Sequence, residues 1–331
     1  MIQRVFRIGS RGSDLALWQA RHIQELLRSH FPQDEFPIEV IRTQGDRIQD
    51  RPLYRVEDKG FFTKEIEESL KAGKCDLAIH SLKDLPTASP PELEIGAIPA
   101  REDAHDVWLS RDGGNPGTAP AGARVGTSSL RRQAQLRALR PDLTLEELRG
   151  NVPTRVRKLA EGEYDAVVLA RAGLYRLGLL PSSAFEIPFA WVLPAPGQGA
   201  LAVQIRADDA VARERVGALD DFRARLAVTA ERALLSRLQG GCLVPVGAQA
   251  EFEISGEAPA GRLRLQGMVA NLSGTILIRG TRSGAAGTIE DASALGTGLA
   301  EELLSRGAGP VLDEVREFLR RSAAPAKEEP R

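Results

Sequence analysis

The chain is poor in the residues that build disulfide frameworks, metal centres and stacking surfaces. Only two cysteines, Cys75 and Cys242, occur among 331 residues, and they lie far apart in sequence, which argues against a disulfide framework. The four histidines are scattered without metal-ligand spacing, so we expect no metal. Aromatic residues make up 5% of the chain, too few to suggest a surface that stacks nucleic-acid bases.

Long apolar runs and excess charge of one sign are also missing. No run approaches the roughly 20 apolar residues that span a bilayer, and the first residues, MIQRVFRIGS, contain no apolar signal core. We therefore expect no membrane association and a cytoplasmic location. A net charge of −1 disfavours binding to nucleic acid through bulk positive charge. The length of 331 residues suffices for two or three domains, and the 42% hydrophobic and 27% charged residues are typical of a soluble globular protein.

The first part of the chain predicts an α/β lobe with an anion site. A short strand at 5–9 precedes a turn with Arg11 and Ser13, a helix follows, and the next strand is predicted at 36–43. The free N–H groups of a helix N-terminus attract anions, and Arg11 and Ser13 add donors beside them. A buried strand at 76–82 ends in Lys83 and Asp84, the end of a strand at which α/β proteins bind ligands.

The same pattern recurs further along, which predicts a second, similar lobe. RVGTSSLRRQAQLRAL, beginning at Arg124, repeats the order of strand, glycine, hydroxyl residues, arginine and helix. Strands are predicted at 143–148 and 165–170, with a turn between them that contains Arg149 and Arg155, and Arg176 on the helix that follows. The segment LPAPGQGA, which ends at residue 200, predicts a crossover back to the first lobe.

The last third predicts a smaller α+β domain. Helices at 209–219 and 222–238 lead to two glycines and Cys242, which a turn would present. Three alternating stretches and two helices follow. The predicted limits are 1–99 with 200–218 for lobe one, 100–199 for lobe two, 219–322 for the third domain and 323–331 for a frayed tail.

The segment ERALLSRLQGGCLVPVG resembles the cofactor-attachment segment of the porphobilinogen deaminase (hydroxymethylbilane synthase) family. Similar segments run along nearly the whole chain in the family's order, among them IGSRGSDLALWQA, DLAIHSLKDLPT, REDAHD, VGTSSLRRQAQL, LRGNVPTR and LPAPGQGA. The resemblance implies two lobes similar to type II periplasmic binding proteins and a third domain. It also implies a dipyrromethane cofactor, joined to Cys242 through a thioether.

The resemblance further implies a reaction and a set of residue roles. Four porphobilinogen molecules would be joined head to tail with loss of ammonia, and hydroxymethylbilane would be released by hydrolysis, in a monomeric enzyme of tetrapyrrole biosynthesis. The growing chain would carry about a dozen carboxylates, which require paired cations. Asp84 would be catalytic, because a carboxylate beside the pyrrole N–H stabilises a developing cation.

The remaining family positions divide into three groups. The cofactor-binding residues would be Ser13, Lys83, Asp84, Thr127, Ser128, Ser129, Arg131, Arg132 and Cys242. The substrate and the growing chain would be bound by Arg11, Arg149, Arg155 and Arg176. The cations of the lid would be Arg55 and Lys59. The lid departs from the family pattern, because Glu57 and Asp58 replace a step that contains glycine. Cys75, just before a buried strand, is predicted to be a core residue.

Two other classes of protein compete with this interpretation. The two lobes alone would suit a non-catalytic anion-binding protein, but such a protein has no use for the GGC segment. A nucleic-acid binder is disfavoured by the net charge and by the scarcity of aromatic residues.

Overall fold

A computed structural model describes residues 3–43, 63–239, 244–253 and 261–323. The strands are β1 Ile8–Ser10, β2 Ile38–Val40, β3 Leu77–Ser81, β4 Leu93–Ala97, β5 Asp106–Ser110, β6 Arg124–Gly126, β7 Thr144–Glu146, β8 Ala166–Ala170, β9 Phe185–Glu186, β10 Leu201–Arg206, β11 Val246–Phe252, β12 Arg262–Ala270 and β13 Leu277–Ala285. The α-helices are α1 Asp14–His30, α2 Lys64–Lys71, α3 Leu130–Leu139, α4 Val152–Ala160, α5 Arg171–Arg176, α6 Ala210–Gly217, α7 Phe222–Arg237, α8 Ile289–Leu303 and α9 Gly309–Ala323. A single turn of 3₁₀-helix, Leu82–Asp84, follows β3.

The first two sheets share one topology, which confirms the prediction of two similar α/β lobes. Their strand orders are β2-β1-β3-β10-β4 and β7-β6-β8-β5-β9. In each, the first three strands are parallel and the fourth runs antiparallel to its neighbours. Because β10 lies in the first sheet although it follows lobe two in sequence, the chain does return to lobe one after LPAPGQGA, as predicted.

Local sequence explains where three of the helices begin. Ser13 caps α1 and Ser129 caps α3, each accepting a hydrogen bond from a backbone N–H three residues ahead at 3.4 Å. Asn151 caps α4 in the same way at 2.9 Å, with a proline in the first turn. Helix α1 is held on the sheet by Ile23 and Leu27, which are fully buried in the core of lobe one.

The C-terminal part is a three-stranded antiparallel sheet in the order β11-β12-β13, covered by helices. Helix α8 begins at Ile289 because Thr288 and Asp291 form a capping box. Helix α7 packs against both the C-terminal domain and lobe one. Leu234 lies in the C-terminal core, while Ala224 and Val228 pack in a cluster with buried residues of lobe one. The residue limits predicted for the three domains stay predictions.

Two further expectations concern burial and membranes. Cys75 is fully buried in a small cluster of lobe one, as predicted. Across the described ranges, no helix is long and apolar enough to cross a membrane.

Candidate active site

A cleft between the two lobes and a pocket that adjoins it are together lined by seven of the twelve predicted site residues that the structure describes. Lobe one contributes Lys83 from the turn after β3, and lobe two contributes cations from the first turn of α3, from α4 and from α5. The cationic side chains that line this cleft are Lys83, Arg132, Arg155 and Arg176. An adjoining pocket is lined by Arg11, Ser13 and Asp84. The two lobes therefore present their cations to a common space.

Asp84 is an exposed carboxylate at the edge of this cationic space. Its charge acts on two cations, Lys83 within its own turn and Arg155 of lobe two, and it offsets part of the fall in their pKa values that burial causes. Asp84 therefore lies close to the opposite wall of the cleft, although it belongs to lobe one.

Lys83 is half-buried in the cleft between the lobes. Burial lowers the pKa of its ammonium group to about 8, and the nearby guanidiniums of Arg132 and Arg131 act in the same direction. Its Nζ donates a hydrogen bond to Oε1 of Gln198 at 3.3 Å. A cation that is destabilised in this way gains from an anion placed beside it.

Arg131 and Arg132 are both buried, and Asp106 holds them both. Nη1 of Arg131 donates to Asp106 at 2.9 Å, and Nη2 of Arg132 donates to the other carboxylate oxygen at 2.7 Å. Burial alone would raise the pKa of Asp106, but the two guanidiniums and Gln198 hold it well below its usual range. Arg131 also donates to the carbonyl of Leu193. The described bonds of both arginines are made within the protein, since Arg132 also donates to the carbonyl of Val168 at 3.0 Å, but Arg132 in addition lines the cleft.

One buried donor of Arg132 has no hydrogen-bond partner among the described residues. This atom is Nε, and the side chain is 6% exposed. A buried N–H of a charged group that lacks a partner costs free energy, which an incoming carboxylate would recover. The donor therefore marks a position that suits an anionic ligand.

Three further arginines of lobe two crowd the same wall. Burial, together with Arg132 and Arg149, lowers the pKa of Arg155 to about 10. Burial also lowers the pKa of Arg176 to about 10, and its Nη2 donates to the carbonyl of Gly199 at 2.7 Å. Arg149 is half-buried, and no described residue accepts a hydrogen bond from its guanidinium. Like charges held this close favour binding of a ligand with several carboxylates.

The hydroxyl residues predicted to bind the cofactor have structural partners. Ser13 and Ser129 cap their helices. Thr127 is buried and its Oγ1 accepts from the N–H of Ser129 at 3.3 Å, while Ser128 donates to the carbonyl of Leu148 at 2.6 Å. These hydroxyls shape the helix N-termini, and any contact with a cofactor would be additional to these bonds.

Three predicted residues fall outside the described part of the chain: Cys242 and the lid cations Arg55 and Lys59. Sequence reasoning also missed contributors to the site. Gln19 and Gln198 line the cleft, and Asp106 lies beneath it. The sequence could have indicated these three residues, since each is a polar residue within or beside a stretch that is otherwise apolar and buried.

One acidic cluster has the composition of a metal site. Ligand atoms of Asp103, His105 and Glu186 lie within 4.8 Å of one another. However, Arg171 forms ion pairs with Asp103 at 3.4 Å and with Glu186 at 2.6 Å, so a guanidinium already balances these carboxylates. The expectation of no metal stays a prediction.

Comparisons with known proteins give concordant results. Residues 6–214 match the family model "Porphobilinogen deaminase, dipyromethane cofactor binding domain", and residues 225–305 match "Porphobilinogen deaminase, C-terminal domain". A porphobilinogen deaminase of Desulforudis audaxviator is 50% identical over 95% of this chain and 99% of its own length. A porphobilinogen deaminase of Roseiflexus sp. is 49% identical over 92% of this chain and 97% of its own length. One of Syntrophobacter fumaroxidans is 46% identical over 95% of this chain and 99% of its own length.

Proposed function

Because the chain belongs to the porphobilinogen deaminase family, we propose that its interlobe cleft is the active site and that Asp84 is the catalytic group. The chain is a transferase of tetrapyrrole biosynthesis. It condenses four porphobilinogen molecules head to tail with loss of ammonia, and the product hydroxymethylbilane is released by hydrolysis. The same comparisons favour this function over a non-catalytic anion-binding protein.

The cofactor of this reaction is dipyrromethane, for which residues 6–214 form the binding domain. When bound, this group supplies the pyrrole carbon to which the first substrate ring is joined. We propose that the thiolate of Cys242 holds it through a thioether. The residues of the cleft fit a ligand with four carboxylates, because the buried Nε of Arg132 lacks a described partner and Lys83 is destabilised by burial. Lys83, Asp84 and Arg132 would bind this cofactor, together with Ser13, Thr127, Ser128, Ser129 and Arg131.

The assignment of Asp84 rests on one observation: its carboxylate is exposed beside a group of cationic side chains. In the substrate, the bond between the aminomethyl carbon and nitrogen breaks, ammonia leaves and positive charge develops on the pyrrole. The Asp84 carboxylate would accept a hydrogen bond from the pyrrole N–H and stabilise that charge. It would also assist removal of the proton displaced when the new carbon–carbon bond forms. The surrounding arginines would bind acetate and propionate groups and so keep the substrate in register.

The remaining assignments are parts of the same proposal. Arg11, Arg149, Arg155 and Arg176 would bind the carboxylates of substrate and growing chain, with Arg55 and Lys59 acting from the lid. The protein would act as a cytoplasmic monomer. Its domains would follow the limits 1–99 with 200–218, 100–199 and 219–322.

Replacement of Asp84 tests the proposal. Asp84→Asn should lower kcat by about 10²-fold or more while the protein keeps its fold and its cofactor mass, because only the charge is removed. Consumption of porphobilinogen gives the rate, and intact-protein mass spectrometry gives the cofactor. Glu92→Gln is the control, since Glu92 is a lobe-one acid whose side chain is 62% exposed. Wild-type turnover in Asp84→Asn would refute the assignment.

A further inference from the structure

The turn that carries Lys83 and Asp84 has few bonds of its own. It is one turn of 3₁₀-helix, Leu82–Asp84, closed by the N–H of Leu85 donating to the carbonyl of Leu82 at 3.2 Å. A turn this short has poor hydrogen-bond geometry and leaves its last carbonyls without partners in the helix. Its position therefore depends on groups from elsewhere in the protein.

Arg232, on helix α7, supplies such groups. Its Nη2 donates to the carbonyl of Pro86 at 2.7 Å, and its Nη1 donates to the carbonyls of Leu85 at 3.2 Å and Leu82 at 3.5 Å. One guanidinium thus spans the C-terminal side of the turn. Its rigid fork fixes several carbonyls at once, and its positive charge suits the end of a helical turn.

Helix α7 also packs against this turn through apolar side chains. Leu82 and Leu85 are buried in one cluster with Ala224 and Val228 of the helix. The neighbouring Glu231 is fully buried and accepts hydrogen bonds from Arg101 and from the N–H of Gly197 in the crossover segment. The helix that leads to Cys242 is therefore anchored to both the crossover and the turn with Asp84.

We propose that Arg232 is a positioning residue that holds the Lys83–Asp84 turn against the helix leading to the cofactor cysteine. The proposal rests on the catalytic role of Asp84 given above. Arg232 acts through the turn and not on the reacting atoms. It keeps the Asp84 carboxylate in register with a primer attached to Cys242, which follows the same helix in sequence. A displacement of about 1 Å at a reacting group can cost about 10²-fold in rate.

Arg225 provides a matched control on the same helix. Its guanidinium also binds lobe one, donating to the carbonyl of Gly96 at 3.2 Å, and it donates to Asp220 just before the helix at 2.7 Å, but it makes no described bond to the turn. Replacement of either arginine by glutamine removes one helix-to-lobe anchor. Only the replacement of Arg232 should loosen the turn itself.

Hydrogen exchange and kinetics of the cofactor-loaded full chain test the proposal. Arg232→Gln should speed amide exchange in a peptide covering residues 80–88 and lower kcat by about 10-fold or more, with the cofactor mass retained. Arg225→Gln should leave both within about twofold of wild type. In an Asp84→Asn background, Arg232→Gln should cost less than about twofold more, because residues that act as a unit are not additive.

The outcomes separate this proposal from the one on which it rests. Unchanged exchange at 80–88, equal losses in the two arginine variants, or losses that multiply with Asp84→Asn would each overturn the positioning role. Full activity of Asp84→Asn would instead refute the catalytic role of Asp84, whatever the exchange of the turn shows.

Discussion

Among the described residues, Asp106 is the carboxylate that pairs with the two buried guanidiniums of Arg131 and Arg132, so its replacement tests the electrostatic account of lobe two. The side chain is fully buried and is bound by Arg131 at 2.9 Å, by Arg132 at 2.7 Å and by Gln198 at 2.8 Å. Asp106→Asn keeps the size of the side chain but removes its charge, and it turns one acceptor into a donor. Breaking a buried pair in this way costs about 3–5 kcal/mol, because the remaining charges are left without compensation.

This cost should be visible in thermal unfolding. For a protein domain of about 150–250 residues, a loss of about 3–5 kcal/mol in the free energy of unfolding corresponds to a fall in Tm on the order of 10 °C. Circular dichroism at pH 7 would measure it. The control is Glu161→Gln, which removes an ion pair to Arg157 at 3.6 Å with side chains 65% and 50% exposed. Such exposed pairs contribute only about 0.3–0.5 kcal/mol, so its Tm should barely move.

The pH dependence follows from the lowered pKa of Asp106. A carboxyl whose folded pKa lies below its unfolded value, about 4, stabilises the fold fully above that value. Its contribution is lost only as the pH falls through the lower, folded pKa. The gap in Tm between wild type and Asp106→Asn should therefore persist between pH 8 and pH 5. A gap below about 2 °C, or one that closes within this range, would refute the reasoning.

Two further predictions concern the tether and the cleft lysine. Wild-type protein from cells that supply porphobilinogen should be heavier than its sequence by two linked pyrroles and should gain further pyrrole units on brief exposure to substrate. Cys242→Ser should lack both increments and Cys75→Ser should keep them, because Cys75 is a buried core residue; a bare mass in active wild-type protein would contradict the tether. In the Cys242→Ser protein, acetylation of Lys83 should rise with a midpoint near pH 8, because burial favours the neutral amine. Peptide mapping measures this, with the exposed Lys74 as internal standard; identical pH curves for the two lysines would contradict it.

The sequence alone determined the features that depend on neighbours along the chain. The helix starts after Ser13 and Ser129 could be predicted because a cap acts within three residues. The repeat of strand, glycine, hydroxyl and helix indicated two lobes with one topology. The GGC segment and HSLKD were specific enough to indicate the family and its cofactor, and they led to the prediction that Asp84 is the catalytic acid.

Tertiary structure decided which cations face the cleft and which are held inside the protein. Arg131 and Arg132 are adjacent in sequence and both bind Asp106, yet Arg132 lines the cleft while Arg131 reaches the carbonyl of Leu193. The sequence could not distinguish them, because their common partner Asp106 lies 25 and 26 residues away. Likewise, Arg232 meets Leu85 across 147 residues. Such pairs depend on how helices and sheets pack, and no local pattern of residues encodes that distance.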